Sequence, residues 1–358
     1  MLLLSLLVAC GPTEDTEVPF EPDLYVAPDA GGWYDAGTEV DQVTARGGTV
    51  LPAQFWYPTT DPGAEVRCDG MTPGSAFTDS APMCDTPRPV IGFSHGNGGL
   101  RYQSIFFTEL AARRGFVVFA PDHIGNTAFD LGDVPTDEAA VRRPTDMADT
   151  FDHLVARGED PADELFGCVD GDAGYAMVGH SFGGYTTFAT AGAPLDLIGM
   201  AERCPDVGWL CGAEQVWAEQ HPDDGSGDLS DSRVWAGVPW APAGRWALLT
   251  DQIDVPMLVI GGEDDITTPL NYTVAPMFAE LTVTPRYLAA IDQVGHYSFT
   301  DFCLVADDGC GDAFLPLDEA QDLISSLTIA FIEAQSGEAR SAAFLPPEHD
   351  ALTWTAVE

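Results

Sequence analysis

The chain has 358 residues with 14 basic and 57 acidic side chains, a formal net charge of −43, and every basic residue is arginine. Such a surface repels phosphate backbones and anionic headgroups, which excludes nucleic-acid binding and a polybasic membrane mode. Hydrophobic residues make up 45% and charged residues 20%, the balance of a packed globular chain, and the length admits one large α/β domain or two smaller ones. The acids are spread along the chain, which reads as a solubilising coat.

From the N-terminus, Leu2 to Val8 is an apolar run too short to cross a bilayer as a helix, and it fits a signal-peptide core. Leu7-Val8-Ala9-Cys10 matches the bacterial lipobox, although no Lys or Arg precedes the run. Residues 1–10 therefore read as a lipoprotein signal ending in a lipidated Cys10, and 11–24, rich in Pro, Glu and Asp, as a tether. That places the chain outside the cytoplasm, in the bacterial cell envelope or secreted, with a lipid on Cys10 as its one membrane contact. In an oxidising compartment the near pairs Cys68/Cys84, Cys204/Cys211 and Cys303/Cys310 are candidate disulfides, leaving Cys168 odd. No Cys-x-x-Cys spacing suggests zinc.

Residues 25–345 read as the folded body and 346–358 as a tail. Two β-like stretches, 39–45 and 49–57, flank a Gly47-Gly48 turn, and 59–88 is a Pro-, Gly- and Asp-rich surface excursion. Strands are then expected at 89–94, 115–120, 175–179, 234–238, 255–260 and 286–291. Helices are expected at 102–114, 145–157, 182–191 and 317–335. Alternation of this kind predicts a mostly parallel sheet with helices on both faces. An insertion at 193–230 carries Cys204, Trp209, Cys211, Trp217 and the acids Asp223, Asp224, Asp228 and Asp231. It reads as a lid, a flap or a calcium site, but its spacing does not follow the calcium-loop pattern, and no metal is assigned.

Four segments carry the chemistry, each at the end of an expected strand. Gly179-His180-Ser181-Phe182-Gly183-Gly184 spans a strand-to-helix junction, where glycines two residues either side let a serine be lifted on a sharp turn. A serine needs a base, and the base an orienting acid; on such a sheet the chain order is Ser, then acid, then His. Gly262-x-x-Asp265-x-x-x-Pro269 supplies Asp265, with Asp264 as its near rival, and Gly295-His296 supplies the imidazole. The glycine-rich Ser94-His95-Gly96-Asn97-Gly98-Gly99 offers the Asn97 N–H as an oxyanion donor beside that of Phe182. Singly, Ser181 and Asp265 also read as helix caps and His296 as a surface histidine. Their joint order makes that reading improbable. His95, His123 and His180 read as structural, and Trp235, Trp240 and Trp246 as packing rather than a substrate platform.

These motifs resemble the α/β-hydrolase superfamily, in particular the predicted dienelactone hydrolase group and the platelet-activating-factor acetylhydrolase-like esterases. The likeness spans about 89–302, from Phe93-Ser-His-Gly96 through Pro121-Asp-His-Ile-Gly-Asn-Thr127 and the Ser181 elbow to Gly295-His-Tyr-Ser-Phe-Thr-Asp-Phe302. Residues 234–270, with Val238-Pro-Trp-Ala-Pro242, are similar to bacterial cutinases and polyester hydrolases. Two departures stand out: dienelactone hydrolases use cysteine where this chain has Ser181, and polyester hydrolases usually lack insertions such as 59–88 and 193–230. The resemblance implies an α/β-hydrolase fold and a monomeric serine ester hydrolase acting on a small-molecule or polymeric ester. Ser181, His296 and Asp265 form its triad, Asn97 and Phe182 its oxyanion hole, and no cofactor is needed. A cutinase-like polyester hydrolase, with Trp240 beside Ser181 as a substrate contact, is the alternative within the class. A surface-binding homologue that has lost turnover is the alternative outside it.

Overall fold

The computed structural model describes residues 34–336, 346 and 348–358, except 62, 64, 69–72, 205–207 and 304–307. The expected signal, Cys10 and the 11–24 tether lie outside the described residues.

The described residues form a mixed α/β protein. Its strands are β1 (Asp35–Thr44), β2 (Val50–Thr59), β3 (Val66–Cys68), β4 (Pro73–Phe77), β5 (Val90–Ser94), β6 (Val117–Pro121), β7 (Tyr175–His180), β8 (Val234–Trp240), β9 (Met257–Gly262), β10 (Arg286–Ile291) and β11 (Leu352–Val357). The helices are α1 (Ile105–Arg113), α2 (Thr136–Glu159), α3 (Phe182–Thr190), α4 (Leu197–Arg203), α5 (Ala213–Gln220), α6 (Ala275–Glu280) and α7 (Leu317–Gln335). One sheet takes the order β11-β10-β9-β8-β7-β5-β6-β2-β1-β4-β3. The run β10-β9-β8-β7-β5-β6 is parallel throughout, and β2 and β11 close its two sides antiparallel.

Strands covered on both faces need apolar side chains at every position. Accordingly, every residue of β5, β6, β7 and β9 is buried. Alternation divides them between two cores. Tyr175 and Met177 of β7 join Met147 and Phe151 of α2 on one face. Ala176 and Val178 join Phe107 of α1 and Leu323 and Leu327 of α7 on the other.

Three differences from the sequence reading have physical causes. Helix α2 begins nine residues before the expected 145 and runs through Pro144. Proline deprives the carbonyl four residues back of its helical donor, and here the Tyr185 hydroxyl donates to the Ala140 carbonyl at 3.3 Å instead. Cys84 pairs with Cys168, not with Cys68. Neighbouring parallel strands β5 and β7 are entered from the same end, so residues 84–90 and 165–170 run side by side, tied by Arg88 N–H to the Cys168 carbonyl at 2.7 Å. The segment taken as a tail supplies β11, whose six residues pair with β10.

Cys204–Cys211 and Cys303–Cys310 are bridged as expected. Three disulfides fit an oxidising, extracellular setting, and among the described residues no helix is long and apolar enough to cross a membrane. In the 193–230 insertion, Leu210, Ala213 and Trp217 are buried in the same core as Met147 and Phe151 of α2.

Candidate active site

The six parallel strands deliver their exit loops to one edge of the sheet, and the candidate residues sit on those loops. Ser181 joins β7 to α3 with φ 58° and ψ −112°, backbone that a non-glycine residue adopts only when its surroundings enforce it. The enforcement is visible. Its N–H donates to the Trp240 carbonyl at 2.9 Å, and its carbonyl accepts from Tyr185 at 3.1 Å and Ala243 at 2.9 Å. A Cβ on Gly183 would run into the Ser94 carbonyl, and one on Gly179 into the Gly183 carbonyl, so both elbow glycines are required by close backbone approach.

Asp265 and His296 meet. Asp265 Oδ2 lies 2.8 Å from His296 Nδ1, both side chains being almost wholly buried. A carboxylate opposite Nδ1 assigns the ring proton there and leaves Nε2 free to accept. The other carboxyl oxygen receives the Thr267 and Thr268 amides at 2.8 and 2.7 Å. The Thr268 hydroxyl sits 2.7 Å from Oδ2 and 2.9 Å from the Ala241 carbonyl. Burial works to raise the Asp265 carboxyl, but the His296 hydrogen bond and charge and the Thr268 contacts outweigh it and hold it below its ordinary value. Asp264, the rival acid, takes no part in this cluster.

The residue before Ser181 reaches this pair. The His180 ring lies 4.6 Å from the His296 ring, while the Ser181 hydroxyl itself has no hydrogen-bond partner among the described residues. His180 is neutral, because burial and then the nearby His296 push its imidazole far down. Gln103 meets His180 Nδ1 at 3.1 Å and accepts the Gly96 N–H at 3.0 Å, tying the elbow to the 95–99 loop.

On that loop Asn97 is exposed, and its N–H donates to none of the described residues. Its side-chain oxygen accepts from Asn126 Nδ2 at 2.7 Å. Phe182 begins α3, so its N–H belongs to the first helical turn, where donors point outward with the positive end of the helix dipole. Beneath both lies a buried polar layer. His95 Nε2 accepts the His123 N–H at 3.0 Å, His123 Nδ1 faces Asp146 at 2.9 Å, and Arg143, fully buried, spans the remainder. Burial lowers Arg143 to about 9, against the pull of Asp146, and leaves it a cation at neutral pH.

Trp240 does not reach the site. It is wholly buried on the opposite face, between Phe107 at 4.9 Å and Phe93 at 5.7 Å, and its Nε1 donates to Thr328 Oγ1 at 3.0 Å. As the last residue of a strand buried on both faces, it points by alternation into the α1/α7 core. The exposed apolar groups at this edge are others: Ile266 beside Asp265, Tyr272 against Trp246, and Phe129 and Leu131 on the loop after β6.

The sequence reading missed Thr268, Gln103, Arg143 and Asp308. Only Thr268 left a local signal, the Asp-x-x-Thr spacing that lets a carboxylate receive the amide three residues on. No known protein-family model matches the chain, and no curated protein matches it.

Proposed function

We propose that this chain is an exported serine ester hydrolase with an α/β-hydrolase fold. One observation carries the reading: a buried Asp265–His296 pair at 2.8 Å has its imidazole 4.6 Å from the ring of His180, the residue before a serine held at positive φ on a strand-to-helix turn. The parallel strand order, with serine, acid and histidine following β7, β9 and β10 in turn, adds to it.

In this reading His296 Nε2 takes the Ser181 proton while Oγ bonds to the acyl carbon, and Asp265 orients the imidazole and stabilises it once charged. The carbonyl electron pair moves onto oxygen, where the Asn97 and Phe182 N–H groups hold it. Collapse expels the alcohol, protonated by His296, and leaves an acyl-Ser181. Water, deprotonated by His296, then adds to the acyl carbon, and collapse frees the acid and returns the proton to Ser181. No cofactor enters these steps. The lipid anchor on Cys10 belongs to the same proposal, supported by the lipobox and by the three disulfides.

A bulky or polymeric apolar ester is a second reading. It is favoured by the exposed Ile266, Tyr272, Phe129 and Leu131 at the exit edge rather than by Trp240. Labelling with a fluorophosphonate, alongside turnover of p-nitrophenyl esters of rising chain length, tests both. Labelling and turnover that vanish in Ser181→Ala are expected, with the chain-length profile and release from polyester film separating small from polymeric substrates. A folded chain that neither labels nor turns over would overturn the proposal in favour of a binding protein.

A further inference from the structure

Among the described residues Arg143 is the one arginine with no exposed surface, and its guanidinium makes contacts in three directions. Nη2 donates to the His95 carbonyl and to Ser94 Oγ at 3.0 Å, both at the exit of β5. Nη1 donates to Asn126 Oδ1 at 2.6 Å, in the loop after β6. Nε donates to Thr186 Oγ1 at 3.2 Å, one turn into α3, and the guanidinium plane covers the Phe182 ring at 4.5 Å.

Those contacts converge on the two segments that carry the candidate oxyanion donors. Asn126, held by Arg143, turns its amide to Asn97 Oδ1 at 2.7 Å and accepts the Gly98 N–H on its carbonyl at 3.1 Å. Asn97 is thus gripped on its side chain and through the next peptide, and Phe182 is covered from its ring face. We infer that Arg143 is the positioning residue of the oxyanion hole, fixing the separation of the Asn97 and Phe182 N–H groups. The inference rests on the serine hydrolase reading.

Arginine suits this place for a chemical reason. A planar fork of five N–H donors satisfies a carbonyl, two hydroxyls and an amide oxygen at once, while its face lies on an aromatic ring. Lysine offers three donors at a point and no stacking face. Arg143→Lys should therefore keep the charge and lose the geometry.

The test uses Arg143→Lys and Asn126→Ala in the full chain, with active sites titrated by fluorophosphonate. It measures kcat and KM on a short p-nitrophenyl ester, and inhibition by a trifluoromethyl ketone whose Ser181 adduct bears an oxyanion. We expect kcat per titrated site to fall about 10- to 100-fold in both variants with KM within about threefold, the range that loss of one oxyanion donor sets as a ceiling. Ketone affinity should fall in step with kcat/KM. If Arg143→Lys does not fold, Asn126→Ala carries the test alone, because it keeps the guanidinium and its bonds to Ser94, His95 and Thr186 and removes the side chain that links Nη1 to Asn97. Folded variants with kcat and ketone affinity within about twofold of the parent would overturn the inference, as would a rise in KM at constant kcat. A parent chain without turnover removes the hydrolase reading, and the inference with it. A working parent with indifferent variants removes the inference alone.

Discussion

Asp308 holds His296 to the loop of its partner acid. One carboxyl oxygen of Asp308 accepts the His296 N–H at 3.2 Å, and the other accepts the Thr267 hydroxyl at 2.9 Å, two residues past Asp265. The Asp308 carbonyl takes the Tyr297 N–H at 2.7 Å, and the adjoining Gly309 carbonyl accepts Ser298 Oγ at 2.9 Å. The Cys303–Cys310 bridge closes the loop that presents Asp308. The imidazole is therefore placed by a segment beyond it in sequence, not by its own turn alone.

Replacing Asp308 with alanine frees the His296 backbone on that side. We predict a kcat lower by about tenfold, the scale of a small misplacement of a catalytic group, with KM little changed and the melting temperature down by only a few degrees. Asp308→Asn keeps one oxygen to accept the His296 N–H and should fall between. Equal kcat values for Asp308→Ala and the parent would show that the histidine loop needs no such support.

Much of this arrangement was legible from residue order, and what was not has a common cause. Strand exits are local events, marked by apolar runs ending in glycine or an acid, so Ser181, Asp265 and His296 could be named in advance. The pairing of Cys84 with Cys168 depends on β5 and β7 being neighbours, which no spacing encodes. Arg143 was hidden by its neighbour: Pro144 reads as a helix boundary, and the Ala140 carbonyl that it leaves without a helical donor is met by the Tyr185 hydroxyl, 45 residues from Ala140. Trp240 was read as packing, and strand alternation does send it inward; only the cutinase-like alternative, which put it beside Ser181 as a substrate contact, fails.

That burial makes the consequences of changing Trp240 distinctive. Trp240→Ala removes a ring packed against Phe93, Phe106, Phe107 and Phe299 and the hydrogen bond that Thr328 Oγ1 accepts, and should cost about 3–5 kcal/mol in urea denaturation. Trp240→Phe should cost about 1–2 kcal/mol, chiefly the lost hydrogen bond and some volume. In both, KM per folded molecule should stay within about twofold. A stable Trp240→Ala chain with a strongly raised KM would contradict the buried placement.

Gly183→Ala tests the elbow. The added methyl would meet the Ser94 carbonyl, part of the backbone of a central strand, so neither partner can yield cheaply. Activity should fall at least about 100-fold, with fluorophosphonate labelling slowed in parallel because the Ser181 backbone must shift. Near-normal labelling would show that the turn has more room than its neighbours imply.

Stability should weaken with acid well above the carboxylate range. Burial holds the His95, His123 and His180 imidazoles well below their ordinary value of 6.5, so the folded chain keeps them neutral while the unfolded chain protonates them. Burial raises Asp146 from 3.8 to about 7, so between those values the folded chain holds one proton that the unfolded chain has released. Three protons gained on unfolding at the histidines and one lost at Asp146 leave a net uptake of about two. Because stability rises with pH wherever the unfolded state binds more protons, these groups should remove roughly 3 kcal/mol per unit as pH falls from about 6 to about 5. The depressed Asp265 adds its own loss only below its ordinary 3.8. Urea titrations across that interval check the slope, and His180→Gln should reduce it by about one proton. A stability that is level, or that improves toward pH 5, would mean that these histidines take up protons inside the fold.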